Sequence, residues 1–261
     1  IRYFLSKISS EFYKIKPRNI IAVTGTNGKT SVADLFYQIL SLNNIPVAYI
    51  GTLGVKYKKK IFQSDLTSPE TITLHHTLER IKKNKIDNVI IEASSHGLHQ
   101  KRLEHLNIKA GIFTNFSQDH LDYHKTMQSY LNAKLRLFKN ILSKKKTVIS
   151  DKFMEKFQIL KKISKKKQLH LIDINGIKKR IDKITNSKFN EFQLKNLSMA
   201  VCAAKLCNLK EKKIFNKLNN IKDVNGRLEL VKIFPNNIKV YVDFAQTPDA
   251  LLKVLGVLKK K

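Results

Sequence analysis

Short apolar runs alternate with longer stretches of helical periodicity along most of this chain. The apolar runs are typical of strands and lie at Ile20–Thr24, Val47–Gly51, Asn88–Ala93, Ala110–Asn115, Thr147–Ser150 and Leu169–Ile172. Helical spacing of apolar residues falls between them, at Ser31–Leu42, Thr71–Lys83, Met127–Leu142 and Leu194–Leu209. Strands that are apolar at nearly every position must be covered on both faces. The alternation therefore predicts an α/β fold with a mainly parallel sheet and helices on both faces.

The pattern changes at two places along the chain. Residues Gly54–Asp65 have the composition of a small exposed hairpin. Beyond Asn219, alternating residues predict a second hairpin and a final helix, at Arg227–Ile233, Lys239–Phe244 and Asp249–Lys261. We place a domain boundary at Asp223–Gly226. Residues 1–18 then form a leading helix and linker, residues 19–222 a central domain, and residues 223–261 the start of a further unit that is too short to fold alone.

The chain is strongly basic, with 50 Lys and Arg against 20 Asp and Glu, a formal net charge of +30 over 261 residues. Such a balance is found in nucleic-acid-binding proteins. Here the lysines are spread over helix faces and short runs, without the interleaved aromatic residues of a stacking surface. We therefore interpret the charge as a basic, soluble surface, and we expect no nucleic-acid partner and a monomer.

Cys202 and Cys207 are five positions apart in one helical run, so they point to different faces and do not readily form a disulfide. No apolar run approaches the roughly 20 residues that a membrane span needs. We expect a cytoplasmic protein with no membrane contact.

The candidate chemistry begins at Val23–Ser31, between the first strand and the first long helix. The glycines at Gly25 and Gly28 allow backbone N–H groups to approach a phosphate, and the helix N-terminus adds partial positive charge. Its candidate nucleotide-binding residues are Gly25, Thr26, Asn27, Gly28, Lys29, Thr30 and Ser31. Lys29 is placed to reach terminal phosphates and Thr30 to bind Mg²⁺, so the segment predicts a P-loop-type nucleotide site.

Glu92 stands in a segment that otherwise reads as a buried strand. A buried carboxylate is costly unless it is paired or holds a cation, so Mg²⁺ beside Thr30 is the favoured partner and a lysine the alternative.

Two further polar clusters lie next to predicted elements. His120 is a candidate metal ligand, whereas Asp119 and Asp122 could equally cap the next helix. Thr67 and Ser68 precede Pro-Glu, a sequence that taken alone indicates a helix N-terminus.

Four ordered stretches of this chain together resemble the Mur ligase family, from about Phe12 to Leu252. They are Thr24–Thr30, Glu92 with Ser94–Leu98, Asp119–His124 and Asp243–Leu251. The resemblance implies a P-loop-type central domain followed by the first hairpin and helix of a truncated Rossmann-like domain. It implies an ATP-dependent amide ligase of peptidoglycan precursor synthesis. Such enzymes add a third amino acid, usually meso-diaminopimelate or L-lysine, to UDP-MurNAc-L-Ala-D-Glu through an acyl phosphate.

The resemblance also implies a role for individual residues. Lys29, Lys134 and His120 are the implied catalytic residues, and Lys134 matches a position that family members carbamylate. The implied Mg²⁺ ligands are Thr30, Glu92, His120 and Lys134. Asn196, Arg227 and Asp243 match nucleotide-side positions, and the implied muramyl-peptide contacts are Thr67, Ser68, Ser94, Gln100 and Arg102. By spacing alone, Lys134 would be a solvated helix lysine, and Gln100 and Arg102 exposed polar residues.

The chain departs from the family pattern in its last motif and in its extent. Gln246 and Phe244 stand where a histidine and a tyrosine are usual. Against the family's three domains, we expect the amino-terminal uridine-binding domain to be absent and the third domain to be only begun, so that this chain alone does not complete ligation.

Three other functions are compatible with parts of the sequence. A folylpolyglutamate synthase shares the chemistry but usually has Gly-Lys-Gly-Ser in the phosphate loop, where this chain has Gly28-Lys29-Thr30-Ser31. A nucleic-acid-binding NTPase would use the basic charge, and a non-catalytic nucleotide-binding remnant would fit the short length.

Overall fold

The computed structural model describes residues 1–58 and 60–259, and within them one large sheet organises the chain. Its eight strands are β1 (Asn19–Thr24), β2 (Val47–Gly51), β3 (Gly54–Tyr57), β4 (Lys60–Phe62), β5 (Asn88–Glu92), β6 (Ile108–Phe113), β7 (Thr147–Ser150) and β8 (His170–Asp173). Their order is β4-β3-β2-β5-β1-β6-β7-β8. The pairs from β2 to β8 are parallel, and β3 and β4 add an antiparallel edge. The predicted α/β fold is confirmed.

Helices cover both faces of this sheet. They are α1 (Arg2–Phe12), α2 (Lys29–Leu42), α3 (Thr71–Lys83), α4 (Ser95–His99), α5 (Leu121–His124), α6 (Met127–Arg136), α7 (Phe157–Lys167), α8 (Asn175–Ile184), α9 (Glu191–Lys205) and α10 (Glu211–Phe215). Alternate residues of β1 face opposite layers. Ile21 and Val23 pack in the layer of α2 and α9, and Ile20 and Ala22 in the layer of α3 and α7.

The end of the chain forms a small separate sheet. Strands β9 (Glu229–Ile233) and β10 (Lys239–Val242) pair antiparallel, and helix α11 (Pro248–Leu258) follows. The predicted second hairpin is thus confirmed. The predicted final helix is present to Leu258, and Lys260 and Lys261 lie outside the described residues.

Three elements differ from their predictions. The hairpin of Gly54–Asp65 is not simply exposed, because β3 pairs with β2 and buries Val55 and Tyr57; residue 59 lies outside the described part. The helix predicted at Met127–Leu142 ends at Arg136 and continues as a π-helical turn at Leu137–Ile141. The helix predicted at Leu194–Leu209 begins earlier, at Glu191, because Asn190 forms a capping box with Gln193 there. It ends at Lys205.

Both cysteines are free, as predicted from their spacing, and both are buried. Burial raises the pKa of the Cys202 thiol to about 11 and that of Cys207 to about 12. No helix in residues 1–58 and 60–259 is long and apolar enough to cross a membrane.

Candidate active site

A cavity of about 540 Å³ opens at the carboxyl ends of the central strands, where α/β sheets commonly bind ligands. It brings together nearly all the site residues predicted from the sequence. Those lining it are Thr26, Asn27, Gly28, Lys29, Thr30, Ser31, Thr67, Ser68, Glu92, Ser94, Gln100, Arg102, His120, Lys134, Asn196, Arg227 and Asp243. Gly25 is not among the lining residues, but its carbonyl oxygen accepts hydrogen bonds from two of the cavity's lysines.

The predicted phosphate loop runs from β1 into α2 and wraps around the start of that helix. Gly28 has a φ of +86°, a conformation that L side chains rarely adopt, and a Cβ there would lie 2.7 Å from Oδ1 of Asn196. This close approach places Asn196, from α9, directly against the loop. The Lys29 ammonium donates to the carbonyl oxygens of Gly25 (3.0 Å) and Thr26 (2.8 Å). Burial lowers the pKa of Lys29, with Glu92 and Asp119 opposing the shift.

Glu92 ends β5 with its side chain fully buried and held by hydrogen-bond donors. Oε2 accepts from the Thr30 hydroxyl (3.0 Å) and the Thr52 hydroxyl (3.2 Å). Oε1 accepts from the Thr52 backbone N–H (3.0 Å) and from the Tyr49 hydroxyl. The alternative of an ion pair with a lysine is wrong, since no lysine of the described chain forms one with this carboxylate. Glu92 and Thr30 are adjacent, as predicted.

Lys134 is 1 % exposed, so the interpretation as a solvated helix lysine is wrong. Helix α6 points it into the core, where its ammonium donates to the Gly25 carbonyl oxygen (2.7 Å) and lies 4.3 Å from the centre of the Tyr130 ring. Burial, together with the nearby Lys29 charge, holds the pKa of Lys134 well below its usual value. Near neutral pH this site therefore favours the uncharged amine more than a surface lysine does.

His120 occupies the N-cap position of α5 with a φ of +51° and makes no side-chain cap. The Asp119 side chain accepts from the His120 backbone N–H (2.9 Å) and lies 3.3 Å from Nε2 of the ring. Neither Asp119 nor Asp122 caps the helix, so that alternative is wrong. Burial is the main cause that lowers the pKa of His120, which favours the neutral ring.

The opposite wall is formed by Ser68, Ser94, Gln100 and Arg102. Ser68 does not cap α3, because its hydroxyl donates to the Glu92 backbone oxygen (2.7 Å) and accepts from the Ser94 N–H (2.9 Å). Arg102 is 7 % exposed, so the exposed interpretation is wrong for it. Its guanidinium donates to the Ser68 carbonyl oxygen (2.7 Å), pairs with Glu70 (2.7 Å) and leaves Nε without a partner. Gln100 is half-buried and hydrogen-bonded to Arg102.

Residues after Gly226 close the cavity from the side of the small sheet. The Arg227 guanidinium donates to the Thr30 hydroxyl (3.1 Å) and lies 5.2 Å from the Phe244 ring centre. Asp243 accepts from the Leu228 N–H (2.6 Å), so its carboxylate also fixes the turn before β9.

Comparison with known proteins agrees with this geometry. The model of the Mur ligase middle domain matches residues 23–218, three quarters of the chain. The chain belongs to the Mur ligase family.

Individual Mur ligases resemble it over nearly all its length. The UDP-N-acetylmuramoyl-L-alanyl-D-glutamate–2,6-diaminopimelate ligase of Rickettsia bellii is 36 % identical over 95 % of this chain and 57 % of its own length. A solved structure of such a ligase superposes with a TM-score of 0.77 at 25 % identity, covering 99 % of this chain and 57 % of that one. A bifunctional folylpolyglutamate synthase/dihydrofolate synthase with Mn, AMPPNP and L-glutamate bound shares the fold, with a TM-score of 0.69 at 15 % identity over 98 % of this chain and 70 % of its own. This chain thus spans little more than half the length of the curated relatives it matches.

Among the residues of this Mur ligase site that sequence reasoning missed are Tyr49, Thr52 and Phe192. Tyr49 lies in an apolar run that predicts a buried strand, and nothing in the sequence shows that its hydroxyl reaches Glu92. Phe192 lies one turn before Asn196 on α9 and lines the same cavity. Only tertiary packing reveals these contacts.

The residues around the phosphate loop fit a magnesium ion. Mg²⁺ usually takes one or two carboxylates and completes its shell with water and substrate phosphates. One buried carboxylate beside one hydroxyl, Glu92 and Thr30, is such a donor set. The described residues contain no cluster of three or more His, Cys, Asp or Glu arranged to hold a metal by themselves.

Proposed function

We propose that this chain is the ATP-binding part of a ligase that joins diaminopimelate to UDP-MurNAc-L-Ala-D-Glu in the cytoplasm, with ATP and Mg²⁺. The observation that carries the proposal is the single cavity in which the phosphate loop, Glu92, Lys134 and Arg102 meet. The names of the relatives supply the substrates. Their identity of up to 36 % favours this ligase over a folylpolyglutamate synthase, whose likeness extends to the fold alone.

In this proposal the phosphate loop and Lys29 hold the ATP phosphates. The Lys29 ammonium now donates to the carbonyl oxygens of Gly25 and Thr26, so phosphate oxygens would replace those acceptors. Asn196 and Phe192 line the cavity beside the loop, on the side where the rest of the nucleotide would lie. Positioning and charge neutralisation of this kind are the main means of catalysing phosphoryl transfer.

Glu92 and Thr30 would hold Mg²⁺, which supplies neutralising charge at the phosphates. His120 and Lys134 are the proposed ligands of a second ion. An ammonium cannot ligate a cation, but the neutral amine can add CO₂ and lose a proton to form a carbamate anion. The lowered pKa of Lys134 favours the reactive amine, and we propose carbamylation on that ground.

Arg102 is the proposed anchor for the muramyl peptide. Its guanidinium is held by the Ser68 carbonyl oxygen, and its Nε has no partner. A buried donor without an acceptor is costly, so an anionic substrate group that reaches it gains a charge-assisted hydrogen bond. Thr67, Ser68, Ser94 and Gln100 are proposed as the polar contacts around that group. The substrate carboxylate would then attack the terminal phosphate of ATP to give an acyl phosphate and ADP, and an amine would displace phosphate from that acyl phosphate with loss of a proton.

We further propose that the Mur ligase central domain runs from residue 19 to about 222. The polypeptide from 223 onward would begin a separate unit. Its separate two-stranded sheet supports this division.

Calorimetric titration with ATP and Mg²⁺ tests the nucleotide half of the proposal. Lys29→Ala should weaken ATP binding by about tenfold or more, because a hydrogen-bonded charge is lost. Lys139→Ala, at an exposed position, is the matched control and should bind as the parent chain does. Equal ATP affinity in the Lys29 variant would contradict the proposal, provided that circular dichroism shows both variants folded.

A second titration, with UDP-MurNAc-L-Ala-D-Glu, tests the substrate half. Binding that is lost in Arg102→Ala would support the muramyl peptide as substrate. Binding of a dihydrofolate substrate in place of the muramyl peptide would instead assign the chain to the folylpolyglutamate synthases.

A further inference from the structure

The carboxylate of Glu92 is held differently at its two oxygens. Tyr49, whose side chain is fully buried, lies on β2 opposite Ile90 of the parallel neighbour β5, two residues before Glu92. Residues two apart on a strand share a face, so the Tyr49 ring and the Glu92 side chain lie on the same side of the sheet. The Tyr49 hydroxyl is hydrogen-bonded to Oε1 of Glu92.

The direction of this hydrogen bond follows from a second contact. The backbone N–H of Leu53 donates to the Tyr49 oxygen at 3.1 Å, so that oxygen is already an acceptor. The phenolic proton is therefore free to point at Glu92. The Thr52 N–H donates to the same Oε1 at 3.0 Å. Gly51 leaves room for this carboxylate oxygen, since a Cβ at that position would lie 2.3 Å from Oε1.

Among the described residues, the other oxygen accepts from hydroxyl groups alone. Oε2 accepts from Thr30 (3.0 Å) and Thr52 (3.2 Å), whose hydroxyl groups can rotate away to other acceptors. A backbone N–H cannot do so, and the phenol oxygen of Tyr49 is fixed by its packed ring while the Leu53 N–H occupies its other side. Oε1 is therefore held by fixed donors, whereas the hydroxyl donors to Oε2 can be exchanged for another partner.

We propose that Tyr49 is a positioning residue that ties Oε1 of Glu92 to β2 and leaves Oε2 as the oxygen that binds the divalent cation. The inference rests on the proposed function, in which Glu92 holds that cation. Residues that orient a metal ligand commonly change metal affinity by about 10- to 100-fold when they are removed.

Mn²⁺ binding measured by electron paramagnetic resonance in the presence of AMPPNP tests this role without requiring catalysis. Tyr49→Phe keeps the ring and removes only the hydroxyl, and we expect Mn²⁺ affinity to fall by about tenfold. Tyr57→Phe is the matched control, because Tyr57 is also buried but its hydroxyl accepts from Arg80 at 3.1 Å. That variant should bind Mn²⁺ as the parent chain does.

Two more variants separate positioning from general damage. In a Glu92→Gln background, Tyr49→Phe should cause no further loss of Mn²⁺ affinity, because both changes act through one carboxylate. Thr52→Val removes the hydroxyl contacts to Oε2 and to Thr67 and keeps the backbone N–H at Oε1, so we expect a loss of less than about threefold, below that of removing an orienting contact. Because Thr52 is exposed, Thr52→Val should fold, and its Mn²⁺ affinity can be measured even if Tyr49→Phe fails to fold.

The outcomes separate the inference from the function on which it rests. Unchanged Mn²⁺ affinity in Tyr49→Phe, or a tenfold loss in Thr52→Val, would overturn the assignment of the two oxygens while the parent chain still binds Mn²⁺ and nucleotide. Absence of Mn²⁺ binding by the parent chain would contradict both the inference and the proposed function.

Discussion

The large sheet and the segments flanking the small sheet line the same cavity, but the two sheets use their apolar side chains differently. In β5, Ile90 and Ile91 are fully buried between two helical layers. In the small sheet, Ile233 of β9 is 56 % exposed and Val240 of β10 is 38 % exposed. The wall built on the large sheet is therefore supported by a packed core, and the wall built on the small sheet is not.

The residues just before and after the small sheet instead reach the cavity through individual polar contacts. Arg227 donates to the Thr30 hydroxyl, and Asn27 donates to the Thr247 hydroxyl at 3.3 Å. The comparison teaches that one site can combine a wall made by burial with a wall made by a few directed hydrogen bonds. Changes in the two walls should then affect different measurements.

The largest contrast is expected from the same substitution made in both sheets. Ile91→Ala should lower the free energy of unfolding by about 2–5 kcal/mol, because it leaves a cavity in the core. Ile233→Ala should change it by no more than about 0.5 kcal/mol, as is usual at exposed positions. Urea denaturation measures both, and similar losses would show that the two sheets are supported alike.

A second contrast within the large-sheet region concerns pH. His75 of α3 is fully buried, and burial, aided by Lys16, lowers its pKa to about 4. The unfolded chain, with a histidine pKa near 6.5, binds the proton more readily, so stability is lost as the pH falls from about 6.5 to about 4. The full loss should be about 3 kcal/mol.

Urea denaturation at several pH values measures this effect. His75→Gln should reduce the pH dependence of the free energy of unfolding over that range by about that amount, and part of it should remain because burial also lowers the pKa of His124 to about 4. His76→Gln, at the exposed neighbouring position, should keep the dependence of the parent chain. A dependence that persists unchanged in His75→Gln would assign it to other groups.

The smallest effect is expected where the small sheet contacts the phosphate loop. Arg227→Ala should weaken ATP binding by roughly three- to tenfold, the equivalent of one ordinary hydrogen bond, and should leave the melting temperature unchanged. Calorimetric titration and thermal denaturation measure the two quantities. A loss of stability in place of affinity would show that Arg227 supports the fold, which would remove the contrast between the walls.

The strands of the large sheet could be predicted because burial on both faces leaves a direct record in the sequence. Val47–Gly51 and Thr147–Ser150 have the predicted bounds, and the other parallel strands differ by one or two residues at one or both ends. Helix ends were harder to predict, because the capping box at Asn190 and the π-helical turn at Leu137–Ile141 depend on contacts that periodicity does not encode.

The site was predictable where a motif carried it and unpredictable where tertiary contacts did. The phosphate loop and Glu92 were found from residue types and position. Ser68 and Arg102 looked like a helix start and an exposed residue, because local spacing cannot show that they contact each other across 34 positions. The Tyr49 hydroxyl left no signal in its apolar strand.

The antiparallel extension of the large sheet also bears on how copies of this chain meet. Strand β4 ends the sheet, spans three residues and is exposed throughout. An open edge of this kind invites another chain to add its own strand. Here the edge is short and lies beside Lys58 and Lys60, on a molecule whose formal charge is +30. Two such edges approaching each other would bring like charges together, and their mutual repulsion would oppose pairing between molecules.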